Sequence, residues 1–78
     1  MSYIFHIPGR ATNYLALQKI IKKIWKKDCR ILHSRNTTFA YAEGWNCVAE
    51  GKPDSKFTLL CLQLPATVTH EDIVEHSQ

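Results

Sequence analysis

The sequence has no run of about 18 consecutive apolar residues, which a membrane-spanning helix would need. Residues 1–7 also lack the positively charged start and the long apolar stretch of a secretory signal peptide. We therefore expect no membrane span and a cytoplasmic location. The chain has only three cysteines, Cys29, Cys47 and Cys61. Because their number is odd and their spacing is wide, we expect reduced, mostly buried thiols.

Sequence motifs of catalytic and metal sites are missing as well. The chain contains no Cys-x-x-Cys motif, no His-Glu-x-x-His motif and no Gly-x-Ser-x-Gly nucleophile elbow. The cysteines lie 18 and 14 residues apart, a spacing more typical of core packing than of metal ligands. The sequence thus predicts a protein that is not an enzyme and has no metal and no cofactor.

Acidic residues are scarce in the first half of the chain. Residues 10–35 include eight basic residues and one acid, Asp28, a net charge of +7, whereas residues 36–78 include two lysines and six acids, a net charge of −4. Such a distribution can attract an anionic partner to one surface of the protein. Alternatively, the two halves neutralise each other in the fold.

The most regular pattern in the chain is an amphipathic helix over residues 14–28. At 100° per residue its apolar side consists of Tyr14, Leu17, Ile20, Ile21, Ile24 and Trp25. The opposite side consists of Lys19, Lys22, Lys23, Lys26 and Lys27. We expect Leu17, Ile21 and Ile24 to be buried against a sheet, with Thr12 or Asn13 capping the helix.

Alternating and β-branched residues predict strands around this helix. Residues 2–7 are apolar on both faces, which indicates a strand that is not at an edge of the sheet. Residues 29–34 and 37–43 predict a hairpin that turns at Arg35-Asn36, and Gly44 is interpreted as a bulge before a continued strand.

The last third of the sequence predicts a loop, a strand and a weak helix. Residues 50–56 are typical of a loop, and the apolar run 57–64 indicates a strand near the middle of the sheet. Residues 66–78 predict a weak terminal helix, capped by Thr69, that frays at its end. With 78 residues, the chain is expected to form one α+β domain, 1–78. Its predicted order is β-α-β-β-β, with a mainly antiparallel sheet covered on one face by the amphipathic helix.

The basic residues suggest a non-enzymatic binding module for an anionic macromolecule, with nucleic acid first and an acidic protein surface second. The candidate residues are Lys19, Lys22, Lys23, Lys26, Lys27, Arg10, Arg30 and Arg35. The alternative is that these lysines only keep the helix soluble. Neither the double-stranded RNA-binding domain nor the RRM matches, because the basic final helix of the first and the strand motif of the second are missing.

A second functional hypothesis is a small inhibitor or adaptor, of the kind that phages direct against a host protein or nucleoprotein complex. Such a protein would bind through its strands or its loop rather than through the lysines. The candidate residues for this interface are Tyr41, Trp45, Lys52 and Asp54. The two hypotheses predict different salt dependence, because phosphate contacts weaken steeply as the salt concentration rises.

Overall fold

The protein is a small α+β structure with one four-stranded antiparallel sheet and two helices. The computed structural model describes residues 1–32 and 44–73. The elements, in chain order, are β1 (Ser2–Ile7), α1 (Tyr14–Trp25), β2 (Cys29–Ile31), β3 (Trp45–Glu50), α2 (Ser55–Cys61) and β4 (Thr67–Ile73). The strands lie in the spatial order β2-β3-β1-β4. This order and these strand directions make a split β-α-β arrangement, in which two β-α-β units interleave in one sheet.

Strand β1 lies inside the sheet, as its two apolar faces predict. It pairs antiparallel with β3 on one side and with β4 on the other. Residues directly opposite each other share a face of the sheet, so Tyr3 lies beside Ala49 and Phe5 beside Cys47. Ile4 pairs with Val48 on the other face, and both are buried.

Helix α1 begins where the sequence predicts and ends three residues early. The side chain of Asn13 caps it, since Oδ1 accepts a hydrogen bond from the Ala16 amide at 2.9 Å. Its last residue is Trp25, because Lys26 adopts a positive φ of 60°. Leu17 and Ile21 are buried as predicted, whereas Ile24 is only partly buried.

The main core lies between the sheet and the two helices. Tyr3, Phe5 and Ile7 alternate along β1 and contribute one face of the sheet to it. The ring of Phe5 stacks on Trp25 of α1 at a centroid distance of 5.5 Å and meets Phe57 of α2 edge-on at 5.4 Å. The aromatic contacts therefore join both helices to the central strand.

The predicted strand over residues 57–64 is wrong, because helix α2 occupies Ser55–Cys61. Asp54 caps this helix, and its Oδ1 accepts the Lys56 amide at 2.9 Å. Phe57, Leu60 and Leu64 recur at helical spacing and pack into the core. Leu59 and Leu62 lie on the exposed side of the helix. Because these apolar residues interrupt the amphipathic pattern, the sequence resembles the continuous apolar run of a buried strand.

The predicted terminal helix over residues 66–78 is also wrong within the described residues, because Thr67–Ile73 forms strand β4. Thr69 does not cap a helix; its hydroxyl donates to the carbonyl oxygen of Ile4 at 3.2 Å. The β-branched residues at the start of β4 favour a strand. Strand β4 pairs with the edge of β1 that β3 leaves open. The true order is therefore β-α-β-β-α-β, with two helices against the core face instead of one. Residues 74–78 lie outside the described part of the chain.

A strand begins at Cys29 and another follows Gly44, as predicted, but the described part of the first strand pairs with residues 47–49 and not with residues 37–43 as the predicted hairpin required. Strand β2 covers Cys29–Ile31 and pairs antiparallel with β3, while residues 33–43, including the predicted turn, lie outside the described residues. Gly44 has a φ of 112°, and a Cβ there would clash with the carbonyl oxygen of Ile7. Only glycine therefore fits this position without a shift of β1 or the turn after it. Neither described helix is long and apolar enough to cross a membrane.

Candidate anion-binding surface

The lysines of α1 are exposed because the opposite side of the helix packs against the core. Lys19, Lys22 and Lys23 project from the helix itself, and all three are exposed. Lys26 and Lys27 follow the helix end and are exposed too. The structure thus places the predicted lysines on the outside of one helix and its C-terminal turn.

The backbone conformation of Lys26 forms the turn that ends α1. Its φ of 60° and ψ of −98° lie outside the regions that a residue with a Cβ adopts easily. Its backbone amide still bonds to the carbonyl oxygen of Lys22 at 3.0 Å, and the Asp28 amide bonds to that of Trp25 at 3.1 Å. The chain therefore leaves the helix abruptly and enters β2 at Cys29.

Lys26 lies between two open depressions. The first, which we call the α1–β2 groove, has a volume of about 350 Å³ and is lined by Tyr14, Gln18 and Lys22 of α1, by Lys26 just after the helix and by strand β2. The second, the α1–α2 depression, has a volume of about 410 Å³. Its charged lining residues are Lys26, Lys27, Lys56 and Asp28.

Lys56 belongs to this surface, although the charge pattern of the sequence does not reveal it. It is the second residue of α2, and the packing of α2 against α1 brings it beside Lys26 and Lys27. The signal that could have found it is Pro53-Asp54, since an aspartate after a proline and before an apolar stripe at helical spacing is a helix start. We call Lys19, Lys22, Lys23, Lys26, Lys27 and Lys56 together the lysine surface.

Among the described residues, the lysine surface forms no ion pairs, although Asp28 lines the α1–α2 depression beside it. No ion pair within 4.0 Å joins any of these lysines to a carboxylate of residues 1–32 or 44–73. Part of the charge has a structural role, because Lys22 and Lys23 lie in the last turn of α1, where cations interact favourably with the helix dipole. That role does not extend to Lys19, in the middle of the helix.

The arginines of the nucleic-acid hypothesis do not all join the lysines. Arg10 is exposed in the turn before α1 and lines a different depression, of about 420 Å³, with His6 and Gly44. It precedes α1, whose 12 residues span about 18 Å, so it lies near the far end of the helix from Lys26. Arg30 pairs with Val48 and is exposed, and it lines the α1–β2 groove together with Lys22 and Lys26. Arg35 lies outside the described residues.

The thiol of Cys29 forms part of the wall of the α1–β2 groove. Burial raises its pKa to about 12, an effect that the backbone and the positive charge of Arg30 partly oppose. The thiol therefore stays protonated and unreactive at neutral pH. Cys29 therefore contributes to the wall of the groove and is not a nucleophile.

The residues of the protein-binding hypothesis have mixed placements. Trp45 is half-buried: its indole N–H donates to the carbonyl oxygen of Thr12 at 3.2 Å, and its ring lies 6.0 Å from that of Tyr14. Lys52 is exposed in the turn between β3 and α2, and Asp54 caps α2. Tyr41 lies outside the described residues.

Comparisons with known proteins do not add to this site: no family model, no curated protein and no solved structure matches the chain. Within residues 1–32 and 44–73, no three histidine, cysteine, aspartate or glutamate side chains gather closely enough to hold a metal ion. The site is therefore interpreted from its own geometry and charge.

Proposed function

We propose that this protein is a non-enzymatic binding module that holds an anionic macromolecule, nucleic acid in the first place, on its lysine surface. The observation that supports this most strongly is the group of exposed lysines that lack ion pairs with the described carboxylates. Side chains that only keep a helix soluble are commonly interspersed with acids, whereas α1 has no acid in its 12 residues.

A nucleic acid suits the arrangement because its phosphates form a line of regularly spaced charges. Along α1, Lys19, Lys22 or Lys23, and Lys26 recur at about one turn of the helix, 5.4 Å. A row of this kind can follow a phosphate backbone, and each contact releases condensed counterions into solution. Lys56 widens the row on the side of α2.

The proposal is tested with a variant in which Lys19, Lys22, Lys23 and Lys26 are all replaced by glutamine. Glutamine keeps the helix propensity close to that of lysine, and the side chains are exposed, so the variant should fold. Its affinity for duplex DNA, measured by fluorescence anisotropy across a salt series, should fall steeply. The slope of log affinity against log salt should decrease by about 0.9 for each phosphate that the variant no longer neutralises.

Two results contradict the proposal. One is a folded variant that binds DNA and RNA as tightly as the wild-type protein at every salt concentration. The other is a wild-type protein that binds neither. If the partner is instead an acidic protein, the lysine variant should mainly show a slower association rate.

One observation favours a second function, that of a small inhibitor or adaptor that binds another protein. Leu59 and Leu62 of the α2 region are 51% and 78% exposed, on the side of α2 away from the core. Exposed leucines one helical turn apart are typical of a helix that enters a partner's groove. Replacing both with lysine should abolish binding of such a protein and leave nucleic-acid binding intact or stronger.

A further inference from the structure

The α1–β2 groove combines an exposed aromatic ring with lysines, which the α1–α2 depression does not. Tyr14 lies at one end of the groove and Lys22 and Lys26 at the other. Among the described residues that line it there is no carboxylate, whereas Asp28 lines the α1–α2 depression. Of the two depressions, the groove is therefore the better match for an anion with an apolar part.

Tyr14 is placed differently from what the helical pattern predicts. The pattern puts it on the buried side of α1, yet it is 42% exposed and does not belong to the core cluster. The ring of Trp45 lies 6.0 Å away at 49°, and the hydrogen bond from its indole to Thr12 holds it there. Tyr14 is thus a supported, accessible aromatic ring.

The spacing along the helix sets the size of what can bind. Tyr14 and Lys22 are two helical turns apart, about 12 Å, and Lys26 lies about 6 Å farther along. Gln18 lies between them and can donate and accept hydrogen bonds. Ile21 and Ile31 give the groove an apolar floor. An unstacked base on the tyrosine and the following phosphates at the two lysines would fill this length.

We propose that the α1–β2 groove holds a short single-stranded stretch of RNA or DNA, with a base on Tyr14 and phosphates on Lys22 and Lys26. The inference rests on the proposed function and narrows it from nucleic acid to single strands. A duplex keeps its bases stacked inside, so it offers phosphates to the lysines and no base to the tyrosine. Tyr14 therefore distinguishes the two kinds of ligand.

The test measures anisotropy with labelled oligouridylate and oligothymidylate of about 12 nucleotides and with a duplex of the same length. Tyr14→Leu removes the aromatic ring and Tyr14→Phe retains it. Leu15→Ala is the matched control, since Leu15 is the next residue of α1, is exposed and does not line the groove. A thermal melt of each variant checks that the fold is unchanged.

We expect Tyr14→Leu to weaken single-strand binding about tenfold or more and to leave duplex binding unchanged. Tyr14→Phe and Leu15→Ala should bind single strands like the wild-type protein. The uridylate and thymidylate probes show whether the groove prefers RNA or DNA.

The inference is overturned if Tyr14→Leu binds single strands as tightly as the wild-type protein. If the double variant Lys22→Gln, Lys26→Gln then still weakens binding of both ligands, the proposed function survives and only the role of the groove is wrong. If neither ligand binds the wild-type protein, both the proposed function and this inference are wrong.

Discussion

Replacing Lys26 with glycine should make the protein more stable. Lys26 adopts φ 60° and ψ −98°, where its Cβ is crowded by its own backbone. A residue with a Cβ in such a sparsely populated region is destabilised by about 1–3 kcal/mol, and glycine avoids most of this cost. Glycine also gives the unfolded chain more entropy, worth about 0.4–1 kcal/mol, which offsets part of the effect. The net expectation is a stabilisation of about 1 kcal/mol.

The measurement is a thermal melt of Lys26→Gly beside Lys26→Ala. Both variants remove the charge and the long side chain, so their difference isolates the backbone effect. In a chain of this length, about 1 kcal/mol corresponds to about 4–8 °C in Tm. Lys26→Gly should therefore melt several degrees above Lys26→Ala, and both should bind nucleic acid more weakly. A glycine variant that melts at or below the alanine variant refutes the strained turn.

The remaining predictions concern the core, the thiols and alkaline pH. Ile21→Ala should destabilise the protein by about 2–5 kcal/mol in a denaturant titration, because Ile21 is only 4% exposed; a change below about 1 kcal/mol would contradict its place in the core. A thiol reagent should label exposed Cys61 quickly and buried Cys47 only on unfolding, and equal rates would contradict the burial. Burial, and then the charge of Asp54, raise the pKa of Tyr3 from 10.0 to about 12. Because its neutral form is favoured in the fold, this contribution to stability is complete below pH 10 and disappears between pH 10 and 12. The stability of Tyr3→Phe should fall less than that of the wild-type protein over that range, and equal decreases would refute this assignment.

The sequence predicted best those elements whose hydrophobic pattern fits only one kind of structure. Helix α1 has five lysines on or just beyond it and a continuous apolar side, so its position and exposed face follow from periodicity alone. Strand β1 is apolar on both faces, which predicts its place inside the sheet. The end of α1 was missed because it depends on the backbone of one residue, Lys26, and no C-terminal glycine marks it.

The last third of the chain was predicted wrongly for a definite physical reason. Helix α2 has seven residues, a length that is also common for strands, and Leu59 and Leu62 in this region are exposed. Hydrophobicity alone therefore could not separate a short helix from a buried strand there. If residues 57–64 are assigned to a strand, that strand can pair with β1 in place of β4. The β-branched residues at the start of β4 then no longer point to a strand.

The candidate site was predicted in part. The lysines of α1 are exposed as their pattern indicates, but Lys56 joins them only through the packing of α2 on α1. The sequence pattern also places Tyr14 on the buried side, because the helical wheel gives the direction of a side chain and not which residues pack against it. The expectation of mostly buried thiols agrees with Cys47, which is buried, and in part with Cys29, which is half-buried, whereas Cys61 is exposed.

The central claim is that the location of the lysines, and not the net charge, creates the binding surface. Two variants of equal net charge test it: Lys22→Gln with Lys26→Gln, and Arg10→Gln with Lys52→Gln. The first pair lies on the lysine surface, and the second pair is exposed elsewhere. In a salt series with nucleic acid, the first variant should bind much more weakly and reduce the salt slope by about 0.9 per duplex phosphate, or about 0.7 per single-strand phosphate, that it no longer neutralises. The second should stay close to the wild-type protein, and equal weakening in the two variants would contradict the claim.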